Sequence, residues 1–321
     1  MFSISRTRPF QRFQKAAGIS TFHINTIVVG LELVALGGEK PNDLNIKWKP
    51  PSNPRNAVEQ TKKFVLLAIL AHVVDAFDVL LREYAELEWT SIDQDLKNIL
   101  RKSVTKPNKD SYSIRERTEA LLGHLQVDHG DALAALDLMV SWRNSLVHAK
   151  RGRWILSEST SGRLLERAET FAERYAGIDI KRALEALEKR SWPTLKEATT
   201  MVAICQNLAR SVDEGLIRRE ANTPEKIQQI AKVELAGIFG QSEAKWNAIG
   251  GRSPQKRYKV LATYLHEAGI AESQEGISAA LGSEFLDELV RSTRTEIEEM
   301  LSKTGKYIKP DANSGKRLFR P

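Results

Sequence analysis

The residues best suited to chemistry lie between Ser141 and Arg153, in the stretch Ser-Trp-Arg-Asn-Ser-Leu-Val-His-Ala-Lys-Arg-Gly-Arg. Its single histidine, His148, follows Arg143 by five residues and Asn144 by four. An imidazole can act as a general acid or base because its pKa lies near neutrality. A guanidinium keeps its charge and can bind two phosphate oxygens at once. These residue types together are typical of a site that acts on a phosphate group.

Positive charge surrounds this histidine. The stretch 138–157 contains no acidic residue and four basic ones, three of which are Lys150, Arg151 and Arg153. We expect these three side chains to bind a phosphate backbone, because they follow His148 closely and have no acidic neighbour in the sequence.

At these residues the chain resembles the HEPN superfamily of helical ribonucleases. The signature of that superfamily is Arg, a polar residue that is usually Asn or His, three to five further residues, and His. Here it is Arg143-Asn144-x-x-x-His148. Arg and His at this spacing occur by chance about once in such a chain, and Arg117 with His124 is a second match. Requiring Asn after Arg lowers the chance expectation to about 0.05, and only Arg143 meets it.

The resemblance covers roughly residues 20–155 and implies a metal-independent endoribonuclease. It implies attack by the 2′-OH of RNA, a 2′,3′-cyclic phosphate product, and catalytic roles for Arg143, Asn144 and His148, with no metal and no cofactor. It also implies a homodimer, a toxin or anti-phage defence role, and an inhibitor or trigger protein as a further partner. In toxin families silenced by nucleotide transfer a Tyr stands two residues after the His. Lys150 occupies that position here, which excludes this form of silencing.

Helical geometry separates the members of the motif. Asn144 and His148 are about 40° apart around a helix and share a face, which Arg151 extends. Arg143 is about 140° from His148, so its side chain must reach around the helix or meet the site across an interface. In the last turn of a helix the dipole would favour the imidazolium of His148.

Other interpretations of these residues remain open. Basic residues near a helix C-terminus are ordinary capping chemistry, and His148 could be a structural residue of the bundle. Trp142 and Trp154 are better explained as packing anchors than as platforms for bases. Two other functional classes fit the sequence, a non-catalytic nucleic-acid-binding protein and a helical adaptor.

Composition excludes several classes of protein. Hydrophobic residues make up 41% of the 321 residues, enough for a packed core, and the single cysteine, Cys205, excludes a disulfide framework. Phosphate-loop, dinucleotide-binding and zinc-binding motifs are absent from the sequence. The most apolar run, Phe64–Leu81, contains His72, Asp75 and Asp78, and the two acids are costly inside a membrane. We expect this run to be a helix buried on nearly all sides, with His72 and Asp75 as a buried polar pair, in a soluble cytoplasmic protein without a membrane partner.

The net charge of +7 comes from the two ends of the chain. Residues 1–50 contain seven basic and three acidic residues, and residues 301–321 contain six basic and one acidic. The middle, 51–300, contains 35 basic and 37 acidic residues. The basic ends alone are weak evidence for a nucleic-acid partner.

Helical periodicity dominates and strand signals are scarce, so the sequence predicts an all-α fold. The expected architecture is a HEPN-like helical bundle followed by a second helical region. The predicted parts are a basic N-terminal segment (1–19), a HEPN-like helical bundle (20–155), a C-terminal helical domain (156–303) and a basic flexible tail (304–321). The predicted helices are Ser20–Leu36, Asn56–Glu88, Asp93–Lys102, Ser113–Leu125, Asp131–Lys150, Arg163–Ala176, Ile180–Lys189, Pro193–Leu216, Thr223–Gly240, Ser253–His266 and Phe285–Lys303.

Overall fold

The computed structural model describes residues 1–101, 112–147, 156–175, 177–272 and 277–310. Over these residues the chain forms fourteen helices and two three-residue strands, which confirms the predicted all-α class. In chain order the elements are β1 (Phe2–Ile4), α1 (Arg8–Ala35), α2 (Pro54–Glu86), α3 (Gln94–Arg101), α4 (Ile114–Leu125), α5 (Gly130–Val147), α6 (Glu158–Glu166), α7 (Ala168–Arg174), α8 (Ile180–Glu188), α9 (Leu195–Glu220), α10 (Pro224–Gly240), α11 (Glu243–Asn247), α12 (Pro254–Glu267), β2 (Ile270–Glu272), α13 (Glu284–Arg291) and α14 (Arg294–Ser302).

Local capping signals place several helix starts where the sequence predicts them. The Ser113 side chain accepts from the Glu116 amide and the Glu116 carboxylate accepts from the Ser113 amide, a complete capping box. Thr223 caps α10 in the predicted position. Two predicted helices are each divided in the structure. The stretch 163–176 contains the junction of α6 and α7 at Arg167, and the stretch 285–303 is interrupted where Thr293 caps α14.

The apolar residues Phe2, Ile4, Phe10 and Phe13 of the predicted basic N-terminal segment (1–19) belong to the core, whereas Arg6, Arg12 and Lys15 are exposed. α1 begins at Arg8 instead of Ser20, because Thr7 caps it and Pro9 suits its first turn. Ahead of it, β1 pairs antiparallel with β2, with Ser3 opposite Ala271.

Two hydrophobic clusters share α9. The first extends from Phe10 to Leu216, and the second combines β1 with residues from Ile217 to Leu301. The packing therefore changes within α9 and not at the predicted boundary near residue 156, since Leu156 packs in the same cluster as Trp142. α9 is the helix that joins the two clusters.

A buried carboxylate connects the start of the chain to α2 and to α9, the helix that the two hydrophobic clusters share. Asp213 on α9 accepts hydrogen bonds from the Thr7 amide at 3.0 Å, from the Thr7 hydroxyl, and from the Tyr84 hydroxyl at 3.0 Å. Burial raises the pKa of Asp213 from 3.8 to about 6, although the bonds from Thr7 and Tyr84 oppose that shift. This network holds the N-cap of α1, the end of α2 and the middle of α9 together.

The C-terminal end of α1 and the N-terminal end of α2 form a helical hairpin, which comprises residues 25–35 and 54–65. α1 has its last buried residue at Ile24, and in α2 only Val58 is buried before Leu66. By length and composition α1 and α2 could each span a membrane, and half of the most apolar window of α2 is buried inside the protein. The prediction that Phe64–Leu81 is buried on nearly all sides is therefore wrong. Large exposed apolar residues cluster on and around this hairpin, at Ile19, Phe22, Ile27, Val29, Leu33, Leu36, Leu44, Ile46 and Phe64.

The raised pKa of Asp213 predicts a dependence of stability on pH. A carboxyl whose pKa is raised by folding stabilises the folded state below its unfolded pKa, and that contribution is lost as the pH rises through about 6. Replacing Asp213 with Asn should remove a decline of about 2–3 kcal/mol in the free energy of unfolding between pH 4 and pH 7. Urea denaturation of both proteins across this range measures the difference. Parallel pH profiles for the two proteins would contradict the assignment.

Candidate functional site

α5 orients the motif because it buries Trp142 and leaves the next residue, Arg143, at the edge of the buried face. Trp142 is fully buried, and its indole nitrogen donates to the Ser191 carbonyl at 2.9 Å. This confirms that Trp142 is a packing anchor, whereas Trp154 lies outside the described residues. With Trp142 turned inward, Arg143 and Asn144 are left half-buried at the margin of the helix.

Two oxygen atoms hold the guanidinium of Arg143. Nη1 donates to Asn144 Oδ1 at 2.9 Å, and Nη2 donates to Asp75 Oδ1 on α2 at 3.3 Å. The Arg143 side chain is 22% exposed. Its Nε is buried and has no hydrogen-bond partner in the described part of the chain. Since a guanidinium has five N–H donors, the two bonds leave others free for an anion.

The bond to Asn144 bears on how Arg143 could reach the face of His148. Adjacent residues of a helix project about 100° apart and do not normally face each other. The long side chain of Arg143 nevertheless reaches around the helix to the amide of Asn144. Because Asn144 shares a helical face with His148 by spacing, this geometry fits the first of the two expected routes, reach within one chain.

Four of the predicted site residues lie outside the described residues, namely His148, Lys150, Arg151 and Arg153. Their predicted roles stay predictions. The described part of the candidate site consists of Arg143, Asn144 and Asp75.

Asp75 also belongs to this site, through its contact with Arg143. Its position in the sequence did not predict this. His72 and Asp75 are both exposed, so the expected buried polar pair is wrong. They lie on a continuous exposed stripe of α2, one turn apart. The stripe follows helical spacing through Phe64, Ala68, His72, Asp75, Val79 and Arg82. The helical spacing of the polar residues His72 and Asp75 within the apolar run was a usable signal for an exposed face. Only the packing, however, decides which face of α2 is covered.

A second ion pair of α2 has the opposite environment. Asp78 faces inward and pairs with Arg117 of α4, whose side chain is 1% exposed and also donates to the Leu100 carbonyl at 3.0 Å. Burial lowers the pKa of Arg117. In the second sequence match, Arg117 is thus buried in the core and His124 is half-buried. Burial and the nearby charge of Arg219 also lower the pKa of His124.

No cluster of three or more His, Cys, Asp or Glu that could hold a metal ion occurs among the residues described. Comparisons with protein-family models, with curated proteins and with solved structures find no match to this chain.

The contrast between the two arginines predicts different costs on truncation. Arg117→Ala should lower the free energy of unfolding by about 3–5 kcal/mol. The change leaves the buried Asp78 carboxylate with only the exposed Arg82 as a partner. Arg143→Ala should cost about 1 kcal/mol or less, because Asp75 is 68% exposed and such a pair contributes little. Urea denaturation at pH 7 measures both. A cost for Arg143→Ala equal to that for Arg117→Ala would favour a purely structural role for Arg143.

Proposed function

We propose that this chain is a metal-independent endoribonuclease that acts as a toxin or anti-phage defence effector. The catalytic residues are Arg143, Asn144 and His148. The observation that supports the proposal most directly is the 2.9 Å hydrogen bond from Arg143 to Asn144. This bond brings the positive charge of Arg143 to Asn144, which by its spacing shares a helical face with His148.

The proposed reaction needs no metal because RNA supplies its own nucleophile. The 2′-OH loses its proton to a base and its oxygen attacks the adjacent phosphorus. The bond from phosphorus to the 5′-oxygen breaks, and that oxygen takes up a proton. The products are a 2′,3′-cyclic phosphate and a free 5′-OH. His148 donates or accepts one of these protons, since an imidazole transfers protons efficiently near neutral pH.

Arg143 binds the non-bridging oxygens of the phosphate, where negative charge increases during transfer. Asn144 holds the guanidinium in position through its side-chain oxygen. The bond to Asp75 is easily displaced by a phosphate, because an exposed ion pair is worth about 0–1 kcal/mol. Lys150, Arg151 and Arg153 bind the RNA backbone next to this site.

The proposal includes a homodimer. Contiguous exposed apolar surface commonly marks an interaction site, and the helical hairpin carries such a surface on both of its helices. Two hairpins packed against each other would bury it as a four-helix arrangement. The exposed stripe of α2 continues from the hairpin at Phe64 to Asp75. A partner chain on the hairpin would therefore lie along α2, whose Asp75 binds Arg143 of α5.

Substitutions in the motif should slow the cleavage of cellular RNA, which is assayed in the presence of EDTA. His148→Ala is expected to lower the rate by a factor of about 10²–10⁴, the usual contribution of a general acid or base. Arg143→Lys should lower it about tenfold or more, because Lys keeps the charge and loses the two-point contact with phosphate. Gel analysis follows the cleavage, and the chemistry of the new ends identifies the cyclic phosphate.

Arg218→Ala is the matched control, since Arg218 is an exposed arginine paired with Glu214 on α9. It should cleave at the wild-type rate. Cleavage that survives in His148→Ala would contradict the catalytic assignment. Binding of RNA without cleavage by every form would select a non-catalytic nucleic-acid-binding protein, and the absence of both would select a helical adaptor.

Charges placed on the hairpin should separate the dimer. The double substitution Val29→Asp with Phe64→Asp is expected to halve the mass measured by light scattering, because both side chains are exposed in the single chain and would be buried between two. Ile308→Asp, at an exposed apolar residue away from the hairpin, should leave the mass unchanged. A wild-type monomer would contradict the proposed homodimer, and a double variant of undiminished mass would contradict its location on the hairpin.

A further inference from the structure

The basic residues of the N-terminal part line two adjoining depressions beside α1. One, of about 590 Å³, is lined by Arg6 and Lys15 together with polar side chains. The other, of about 440 Å³, is lined by Lys15, Arg8 and Arg12 and by Lys245 of α11. Gln11, Lys15 and His266 line both. We call the two depressions together the basic groove.

The fold builds this groove through a close approach that only glycine permits. Gly269 lies between α12 and β2 with φ +90°, and a Cβ at that residue would come within 2.0 Å of the Arg6 carbonyl oxygen. The N-terminal residues therefore lie directly against the end of α12. This contact brings Arg6 and Lys15, which are early in the chain, beside His266.

Two cations of the groove have acidic partners. Arg8 pairs with Glu234 at 3.3 Å and Arg12 pairs with Glu83 at 2.7 Å. Among the described residues that line the second depression, Glu267 is the one acidic residue.

Arg6, Lys15 and Lys245 form no ion pair in the described part of the chain. The Arg6 guanidinium donates instead to Gln14 Oε1 at 3.1 Å, and Lys245 lies over the Tyr264 ring at 4.7 Å. The groove thus presents three un-neutralised cations with amide and hydroxyl groups between them, a surface suited to a chain of phosphates.

The groove and the candidate catalytic site approach the same helix. Arg12 contacts Glu83 and Arg143 contacts Asp75, both on α2. Eight residues of helix separate the two acids, which corresponds to about 12 Å along the axis. One extended polyanion could therefore contact both regions of the surface.

We infer that the basic groove binds the phosphate backbone of single-stranded RNA, and so extends the substrate contact of the proposed ribonuclease. This inference rests on the proposed function for the identity of the polyanion, and on the groove residues for its location. It assigns a role to the N-terminal basic residues, which the catalytic motif does not involve.

Binding of a fluorescent single-stranded oligoribonucleotide in EDTA, measured by anisotropy at several salt concentrations, tests the inference. All proteins carry His148→Ala so that the probe stays intact. The triple substitution Arg6→Gln, Lys15→Gln and Lys245→Gln should raise Kd about tenfold or more. The slope of log K against log salt should also become less steep by about 2, since three phosphate contacts are lost.

A matched control removes the same charge elsewhere, with Lys181→Gln, Lys189→Gln and Lys226→Gln at exposed lysines. It should change Kd less than twofold. Equal effects of the two triple variants would overturn the inference, because the groove would then contribute only net charge. Groove-dependent binding to phosphatidylserine vesicles without binding to RNA would also overturn it and would identify a membrane surface as the ligand.

Cleavage assays with otherwise wild-type proteins keep the two proposals distinguishable. If the groove variant cleaves with an unchanged kcat and a raised KM, both proposals are supported. If the native chain cleaves no RNA but binds it through the groove, the proposed function fails and the groove assignment holds. If the groove variant binds and cleaves like the control, the groove assignment alone fails.

Discussion

Asp213 is a buried carboxylate that accepts three hydrogen bonds, and these bonds hold the start of α1 and the end of α2 against α9. Its bonds to Thr7 determine where α1 begins, because the same Thr7 side chain caps that helix. Its bond to Tyr84 holds the end of α2 against α9. A carboxylate with no partner would be very costly at this depth, so the three elements must meet here for the protein to be stable. The basic groove and the Arg143 site both depend on α2 being held in this way.

Two of the acids of α2, Asp75 and Asp78, lie three residues apart and pair with arginines of other helices in different environments. Asp78 with Arg117 is buried, so removing Asp78 leaves the Arg117 charge in the core, and removing Arg117 leaves the Asp78 carboxylate with only the exposed Arg82 as partner. In the pair of Asp75 with Arg143 the acid is exposed, so the Asp75 carboxylate positions the Arg143 guanidinium but costs little free energy to displace. The first pair serves the fold, and the second leaves Arg143 available to an anion. The same two residue types thus have different roles because one face of α2 is covered and the other is not.

Local signals in the sequence predicted most helix starts, because capping depends on residues only three positions apart. Ser113 with Glu116 and Thr223 before Pro224 are such cases. The start of α1 was missed although Thr7 and Pro9 are local signals for it. The contact that fixes Thr7 in the core comes from Asp213, more than two hundred residues away, and no local pattern contains it. The pairing of β1 with β2 was missed for a related reason, since three-residue strands have no recognisable period and form only when the N-terminus meets residues 270–272.

The sequence by itself determined the helical class, the capping of individual helices, and the spacing that unites Arg143, Asn144 and His148. These features depend on neighbours within one or two turns of helix. Only the tertiary structure decided that Asp75 faces Arg143, that Asp78 faces the core, and that the N-terminal cations lie beside His266. Each of these depends on which helix covers which face, and that is set by packing between segments far apart in the chain. A pattern of residue types cannot distinguish a covered face from an exposed one when both are equally apolar.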